Sequence, residues 1–280
     1  MVNIAKMKKE AKLLWIRAMG LSFLLVFSLS CRSKEESVFP PSPESSVEPL
    51  VNALSEEEKR EGWVSLFDGR TLAGWRGIGQ EGIPAGHWAV EDGAIKKLSA
   101  GEVPRQADGQ PIQGGDLMTD RTCGNFELRL EWKINAGGNS GIKYNVSEEI
   151  SMSVAPPQAA IGFEYQIIDD GVNPDALVGP NRTAAALYDL MAPRNKILKA
   201  VGEYNEARIV FRGRHGEHWL NGRKVLEFDL GTAEMDDLIA ASKYRDIPGF
   251  AEKRRGHIVL QDHGDAVWFR NIRIREDRQE

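Results

Sequence analysis

From residue 62 onward the apolar residues recur at every second position in short runs, and Gly, Asn and Asp separate the runs. The plainest run spans 126–134, with Phe126, Leu128, Leu130, Trp132 and Ile134 on one side and Glu127, Arg129, Glu131 and Lys133 on the other. A period of two is the mark of a strand with one buried face. Similar runs cover 63–67, 88–91, 94–95, 117–119, 142–146, 205–212, 218–220, 224–228, 257–261 and 266–274. Asp92-Gly93 and Asn221-Gly222 sit between paired runs and predict two-residue hairpin turns. Gly137 to Gly141 reads as a tight turn, and 147–160 and 243–255 read as loops. Helix signals are few. Ser55 to Glu58 has capping-box spacing before a short helix ending at Gly62, and 232–242 predicts one more helix. Many short strands with little helix predict an all-β protein of the sandwich type.

The stretch 162–170 stands apart. It predicts a buried strand with Glu164, Gln166 and Ile168 on one face and Phe163, Tyr165 and Ile167 on the other. An unpaired carboxylate on a mostly buried sheet costs several kcal/mol. Glu164 therefore either pairs with a cation such as Lys143 or Arg270, or lines a wet groove and does chemistry.

Length and composition narrow the setting. At 280 residues, 41% apolar and 28% charged, the chain suits one large all-β domain or two small ones. A net charge of −5 excludes the basic balance of a general nucleic-acid binder. The first 31 residues read as a leader: Lys6, Lys8, Lys9, Lys12 and Arg17 precede an apolar run over 18–30 that is too short to span a bilayer. The end of that run, Ser28-Leu29-Ser30-Cys31, resembles a bacterial lipobox in which Cys31 is lipidated, although Leu would be usual at position 28; the plainer alternative is cleavage near Ser30 and a free periplasmic protein. Lys34-Glu35-Glu36 resembles a cell-surface export signal. Segment 32–54 is rich in Ser, Pro and Glu and reads as a disordered tether, leaving 55–276 as one β-sandwich domain. The expected location is the bacterial cell envelope, with a lipid anchor. With two Cys in the chain, Cys31 and Cys123, no disulfide framework or Cys-based zinc site is expected.

A set of motifs follows in order: Gly62-Trp63-Val64-Ser65-Leu66-Phe67-Asp68-Gly69 with Trp75, Trp88-Ala89-Val90-Glu91-Asp92-Gly93, Gly138-Asn139-Ser140-Gly141-Ile142, Glu164-Tyr165-Gln166-Ile167-Ile168-Asp169, Trp219-Leu220-Asn221-Gly222, 256–264 and Phe269-Arg270-Asn271-Ile272. Together they resemble the 3-keto-disaccharide hydrolase domain family over nearly the whole mature domain. The resemblance implies a concanavalin A-like jelly-roll β-sandwich with a carbohydrate groove on its concave sheet. It implies a substrate already oxidised to a ketone at C3 of a sugar, and so an upstream glycoside 3-oxidoreductase as pathway partner. Many relatives carry Arg where this chain has Asn145, which points to a different substrate if that Arg makes contact.

The residues fit that chemistry better than ordinary glycoside hydrolysis. A retaining glucanase needs two same-face carboxylates about 5 Å apart, and here Glu164 faces with Gln166 and Ile168. A 3-keto sugar needs a base for the acidic C2 proton, donors for the enolate oxygen and an acid at the leaving group. Glu164 is the expected base, and His263 is the second candidate, as base or acid. Asn139, Gln166 and Gln261 are candidate donors to substrate oxygens, and Tyr144, Tyr188 and Trp219 are candidate sugar-stacking rings. Plainer readings stand beside these. Asp262-His263-Gly264 could be a capped turn, Asn139-Ser140-Gly141 only a turn, the three aromatics core residues, and Arg270-Asn271 a tie between strand ends. No cofactor is implied outright, though Glu164, Asp262 and His263 could gather around a divalent ion that polarises the ketone. Two rival functions remain open: a non-catalytic carbohydrate-binding lipoprotein and a conventional O-glycosidase.

Overall fold

In the computed structural model the described residues are 51–99, 105, 107, 109, 115–154 and 158–277. The leader, Cys31 and the tether up to residue 50 lie outside them. The described chain falls in one compact unit, Glu48–Glu280.

Thirteen strands are described: β1 (Val64–Ser65), β2 (Trp75–Gly77), β3 (Trp88–Glu91), β4 (Ala94–Lys97), β5 (Leu117–Thr119), β6 (Phe126–Ile134), β7 (Asn139–Val146), β8 (Phe163–Ile168), β9 (Asn205–Arg212), β10 (His215–Leu220), β11 (Arg223–Asp229), β12 (His257–Leu260) and β13 (Val267–Glu276). They form two antiparallel sheets. One runs β11-β10-β9-β6-β13-β4-β3 with β1 also paired to β13, and the other runs β2-β5-β12-β7-β8. The sheets pack face to face as a jelly-roll β-sandwich. The alternating faces meet between them: Phe126, Leu128, Leu130, Trp132 and Ile134 of β6 lie against Ile142 and Tyr144 of β7 and Phe163, Tyr165 and Ile167 of β8. Within this core Tyr144, Phe163, Phe211 and Phe228 make tilted ring contacts, with centroids 5.7–6.2 Å apart.

Both hairpin turns form. Asp92 and Gly93, and Asn221 and Gly222, all take positive φ, as a type I′ turn requires. Ser55 caps the helix α1 (Glu56–Arg60) with a complete capping box, and Thr232 caps α3 (Ala233–Ala241). The helix α2 (Glu148–Ser153), capped by Ser147, occupies part of the stretch read as loop. Asn52 already belongs to the sandwich: its backbone N–H donates to Asn271 Oδ1 and its side-chain amide donates to the Gly93 carbonyl. The turn at 137–141 is shorter than its sequence suggests. Asn139, Ser140 and Gly141 are β7 residues paired with Ile168, Ile167 and Gln166. Register therefore fixes Asn139 on the same sheet as Glu164.

Candidate active site

The inner residues of β7 and β8 fill the core, so their alternates point to the outer face of the five-stranded sheet. There Asn139, Glu164 and Gln166, with Gln261 just beyond β12, form the floor of a cavity of about 790 Å³. Arg105, His263 and Asp265 make one wall. Asn173, Asp175, Arg182, Tyr188 and Lys243 make the other.

Glu164 is 2% exposed. Gly141 lies across the strand pair and leaves the carboxylate its room: a methyl carbon there would sit 2.9 Å from Glu164 Cγ and 3.0 Å from Cδ. Lys143, paired with Glu164 in the ladder, places its ammonium 3.8 Å from Oε2 and donates to the Ala160 carbonyl at 3.1 Å. That ion pair is long. Arg270, the other sequence-level partner, instead binds Glu131. Oriented to satisfy its neighbours, the Gln166 amide nitrogen donates to Glu164 Oε1 (3.1 Å) and to the Ser140 carbonyl (3.0 Å). Glu164 Oε2 and Gln261 Oε1 accept no hydrogen bond from any described residue. The floor thus presents one buried carboxylate with a lone oxygen, surrounded by amides.

Among the described residues the other two carboxylates lining the cavity have partners. Asp175 accepts from Arg182 and from the Tyr188 hydroxyl, each at 2.8 Å. Asp265 accepts the Asn139 backbone N–H at 3.0 Å. Burial, reinforced by the negative charges of Glu164 and Asp175, raises the Tyr188 hydroxyl pKa above its ordinary value. Lys243 lies with its ammonium 4.1 Å from the Tyr188 ring centroid, so one face of that ring is taken. Lys243 is exposed as a residue, yet desolvation around its ammonium lowers its pKa, and the Glu164 carboxylate opposes that shift.

Strand alternation continues past β12. Gln261 and His263 line the cavity, and Asp262 between them points the other way and is fully buried. It contacts His87 and pairs with Lys97 at 3.1 Å and Arg105 at 3.4 Å. Burial alone would raise its pKa, but the hydrogen bond from His87 and the charges of Lys97 and Arg105 hold it below the usual carboxylate value. Asp262 also accepts the Gly264 N–H, so the capped turn is real as well. Facing away from Glu164, Asp262 cannot join it around a divalent ion. Among the described residues the trio of ligand-type side chains close enough to share an ion is His215, Glu217 and Glu227, on the other sheet. Lys224 already bridges both of those carboxylates.

Two of the expected stacking rings are not in the cavity. Tyr144 is fully buried between the sheets, with its hydroxyl 2.8 Å from His218 Nε2, because its place in β7 alternates inward. Trp219 alternates outward on β10, where His218 and Leu220 take the core side, and it packs under Arg208 with its indole N–H on Glu217. The core separates it from the cavity. Arg105, Asp175, Arg182, Lys243 and Asp265 were not foreseen, since none lies in a stretch with a periodic signal; Arg182 ends the short 3-10 helix Pro180–Arg182 and the others lie outside the named helices and strands. The Tyr188–Lys243 pairing joins segments far apart in sequence.

The comparisons with known proteins agree with this geometry. The family described as the 3-keto-α-glucoside-1,2-lyase-like domain matches residues 62–275. The chain belongs to that family. A 3-keto-disaccharide hydrolase from Bacteroides thetaiotaomicron is 40% identical over 235 residues, covering 77% of this chain and 78% of the relative. A crystal structure from Parabacteroides distasonis, provisionally named a glycosyl hydrolase, superposes with a TM-score of 0.69 at 30% identity over 81% of this chain and 99% of that one. A second from the same organism, similarly named, gives 0.55 at 29% identity, covering 77% and 99%. By this relationship the chain is an enzyme of the hydrolase class with a glycosidase-type jelly-roll fold.

Proposed function

We propose that this enzyme cleaves glycosides whose sugar carries a ketone at C3, disaccharides included, by elimination followed by hydration. Glu164 takes the proton at C2, which the neighbouring ketone makes acidic. The electron pair moves toward the C3 oxygen, then returns and expels the C1 substituent, leaving a C1–C2 double bond to which water adds. His263, which lines the same cavity, protonates the departing oxygen. Asn139, Gln166 and Gln261 offer amides to the ring oxygens, and Tyr188 with Asp175 bounds the sugar on the other side.

The observation that carries this reading is the lone buried carboxylate. On the cavity floor Glu164 holds one buried oxygen that accepts from none of the described residues, while Asp175 accepts from Arg182 and Tyr188 and the half-buried Asp265 takes a backbone N–H on one oxygen. Conventional glycosidases need two working carboxylates about 5–9.5 Å apart across the bond; a ketone-activated elimination needs one base.

The test compares product release from a 3-keto-glucoside and the unoxidised glucoside, for wild type and Glu164→Gln. Cleavage of the keto substrate alone, lost in the variant, is the expected result. Cleavage of both substrates would sink the reading in favour of an O-glycosidase. Cleavage that persists in the variant would move the base to His263.

The same reading places the enzyme in the cell envelope, anchored through Cys31 and supplied by a glycoside 3-oxidoreductase. Incorporation of labelled palmitate, abolished by Cys31→Ser, tests the anchor.

A further inference from the structure

The loop after α3 brings Lys243 into the cavity opposite the Glu164 floor. Its backbone N–H is fixed on Asp189 Oδ2 at 2.8 Å. Its ammonium lies 4.1 Å from the Tyr188 ring centroid and 5.1 Å from that of Tyr244. The other cavity cations are engaged: Arg105 is tied to Asp262 and the Gly109 carbonyl, and Arg182 to Asp175 and Asp189. No described carboxylate lies within salt-bridge distance of Lys243. Among the described residues lining the cavity, Lys243 is thus the cation that aromatic faces position without an ion-pair partner.

We infer that Lys243 is a further catalytic residue of the keto-glycoside reaction: its ammonium meets the C3 carbonyl oxygen and stabilises the enolate that forms when Glu164 removes the C2 proton. This rests on the function proposed above. The C2–H bond breaks, its proton goes to Glu164, and its electron pair makes the C2–C3 double bond while the carbonyl pair moves to O3. Lys243 faces that oxyanion and keeps its own proton. The O3 pair then re-forms the carbonyl, the C2–C3 pair becomes the C1–C2 double bond, and the C1–O bond breaks while the departing oxygen takes a proton from His263 to leave as the alcohol. A compact ammonium with three donors suits an oxyanion whose charge appears and disappears within one turnover.

The experiment uses the whole chain with 3-keto-glucosides bearing an alkyl or a nitrophenyl leaving group, and follows two readouts: leaving-group release and exchange of the C2 hydrogen with deuterated solvent. For Lys243→Met we expect both readouts to fall together by about 10²–10³-fold, equally for both leaving groups, with Lys243→Arg retaining part of the rate. Three results would overturn the assignment: unimpaired C2 exchange in Lys243→Met; a defect that vanishes with nitrophenolate, which would make Lys243 the acid for the leaving group; or a borohydride-dependent mass gain on Lys243 with the keto substrate, which would make it an imine-forming amine. If wild type neither exchanges C2 nor releases product, the keto-glycoside reading itself fails, which is distinct from loss confined to the variant.

Discussion

Replacing Gly141 by Ala tests the role proposed for Glu164 without replacing that residue. Gly141 faces Glu164 across the β7–β8 pair, and a methyl carbon there would sit 2.9 Å from Cγ, 3.0 Å from Cδ and closer still to Oε1. Ordinary van der Waals contact begins near 3.4 Å, so the arm is short of room by about half an ångström at its stem and more at its tip. Glu164 is 2% exposed, with Gln166 and Lys143 beside it, so the carboxylate must move within the cavity by 0.5–1 Å, roughly, rather than swing into solvent. A displacement of about 1 Å in a reacting group can cost up to ~10²-fold in rate, which is about 2.7 kcal/mol of barrier. We expect kcat for Gly141→Ala to fall roughly 10- to 100-fold. Stability should change little: Gly141 has no positive φ, and Ala in a strand gains roughly 0.5–1 kcal/mol over Gly, which offsets part of the crowding. Gly162→Ala is the contrast. A methyl there would meet the Tyr144 carbonyl at 2.6 Å and Val146 Cα at 3.0 Å, both backbone atoms, and would force the strands apart. That variant should lose melting temperature first. Steady-state kinetics on the 3-keto-glucoside and thermal unfolding of both variants decide the matter. Wild-type kcat in Gly141→Ala would refute the claim that the position of Glu164 governs turnover.

Three further outcomes follow from the structure. Buried His218 is held neutral, its pKa pushed down to about 4 from an unfolded value near 6.5; the unfolded chain therefore takes up a proton that the fold refuses between those values, and stability should fall by about 3 kcal/mol as pH drops from 6.5 to 4. Urea unfolding of His218→Gln at pH 7 and pH 4.5 should show a shallower loss than wild type, and an equal loss would refute the assignment. Asp262→Asn leaves Lys97, 1% exposed, without its carboxylate; breaking such a buried pair should destabilise the fold by about 3–5 kcal/mol, read by chemical denaturation. Trp219→Ala should leave KM within about two-fold of wild type, whereas Tyr188→Phe, which gives up the bond to Asp175, should lower kcat/KM roughly 5- to 10-fold, at about 1–1.5 kcal/mol for a lost hydrogen bond.

Period-two patterning made the strands legible, because one buried face imposes it: β6, β8, β9 and β13 appear where the alternation lies, and the Asp92-Gly93 and Asn221-Gly222 turns mark their hairpins. Alternation also placed Glu164 with Gln166 and Gln261 with His263. It could not tell inward from outward on a strand buried on both sides. Every residue of β7 is buried, so Tyr144 and Asn139 look alike in sequence although one faces the core and the other the cavity. Trp219 failed for the converse reason: an aromatic on an outer face pairs with Arg208 as readily as with a sugar. Two of the wall residues were illegible because their contacts join distant segments, and Arg182 because its partners Asp175 and Asp189, seven residues away on either side, follow no helical or strand spacing. Lys243 meets Tyr188, and Arg105 meets Asp262, with no local rule linking either pair.

The three residues 261–263 join a buried charge cluster to the cavity within one short segment. Asp262 turns inward and is met by His87, Lys97 and Arg105, so its charge is neutralised and held fixed. Its neighbours must then face the cavity, because the period is two. Glu164 is treated in the opposite way. Among the described residues its ion-pair partner Lys143 stands off at 3.8 Å, and one oxygen accepts no hydrogen bond from any of them. A carboxylate so weakly compensated costs folding free energy that a structural role would not require. The role of base proposed for it accounts for that cost. Arg105 joins the two arrangements, since it lines the cavity while bonded to Asp262. Loss of the inner cluster should therefore disturb the wall that carries Arg105 and His263 before it disturbs the Glu164 floor, which β7 and β8 hold independently.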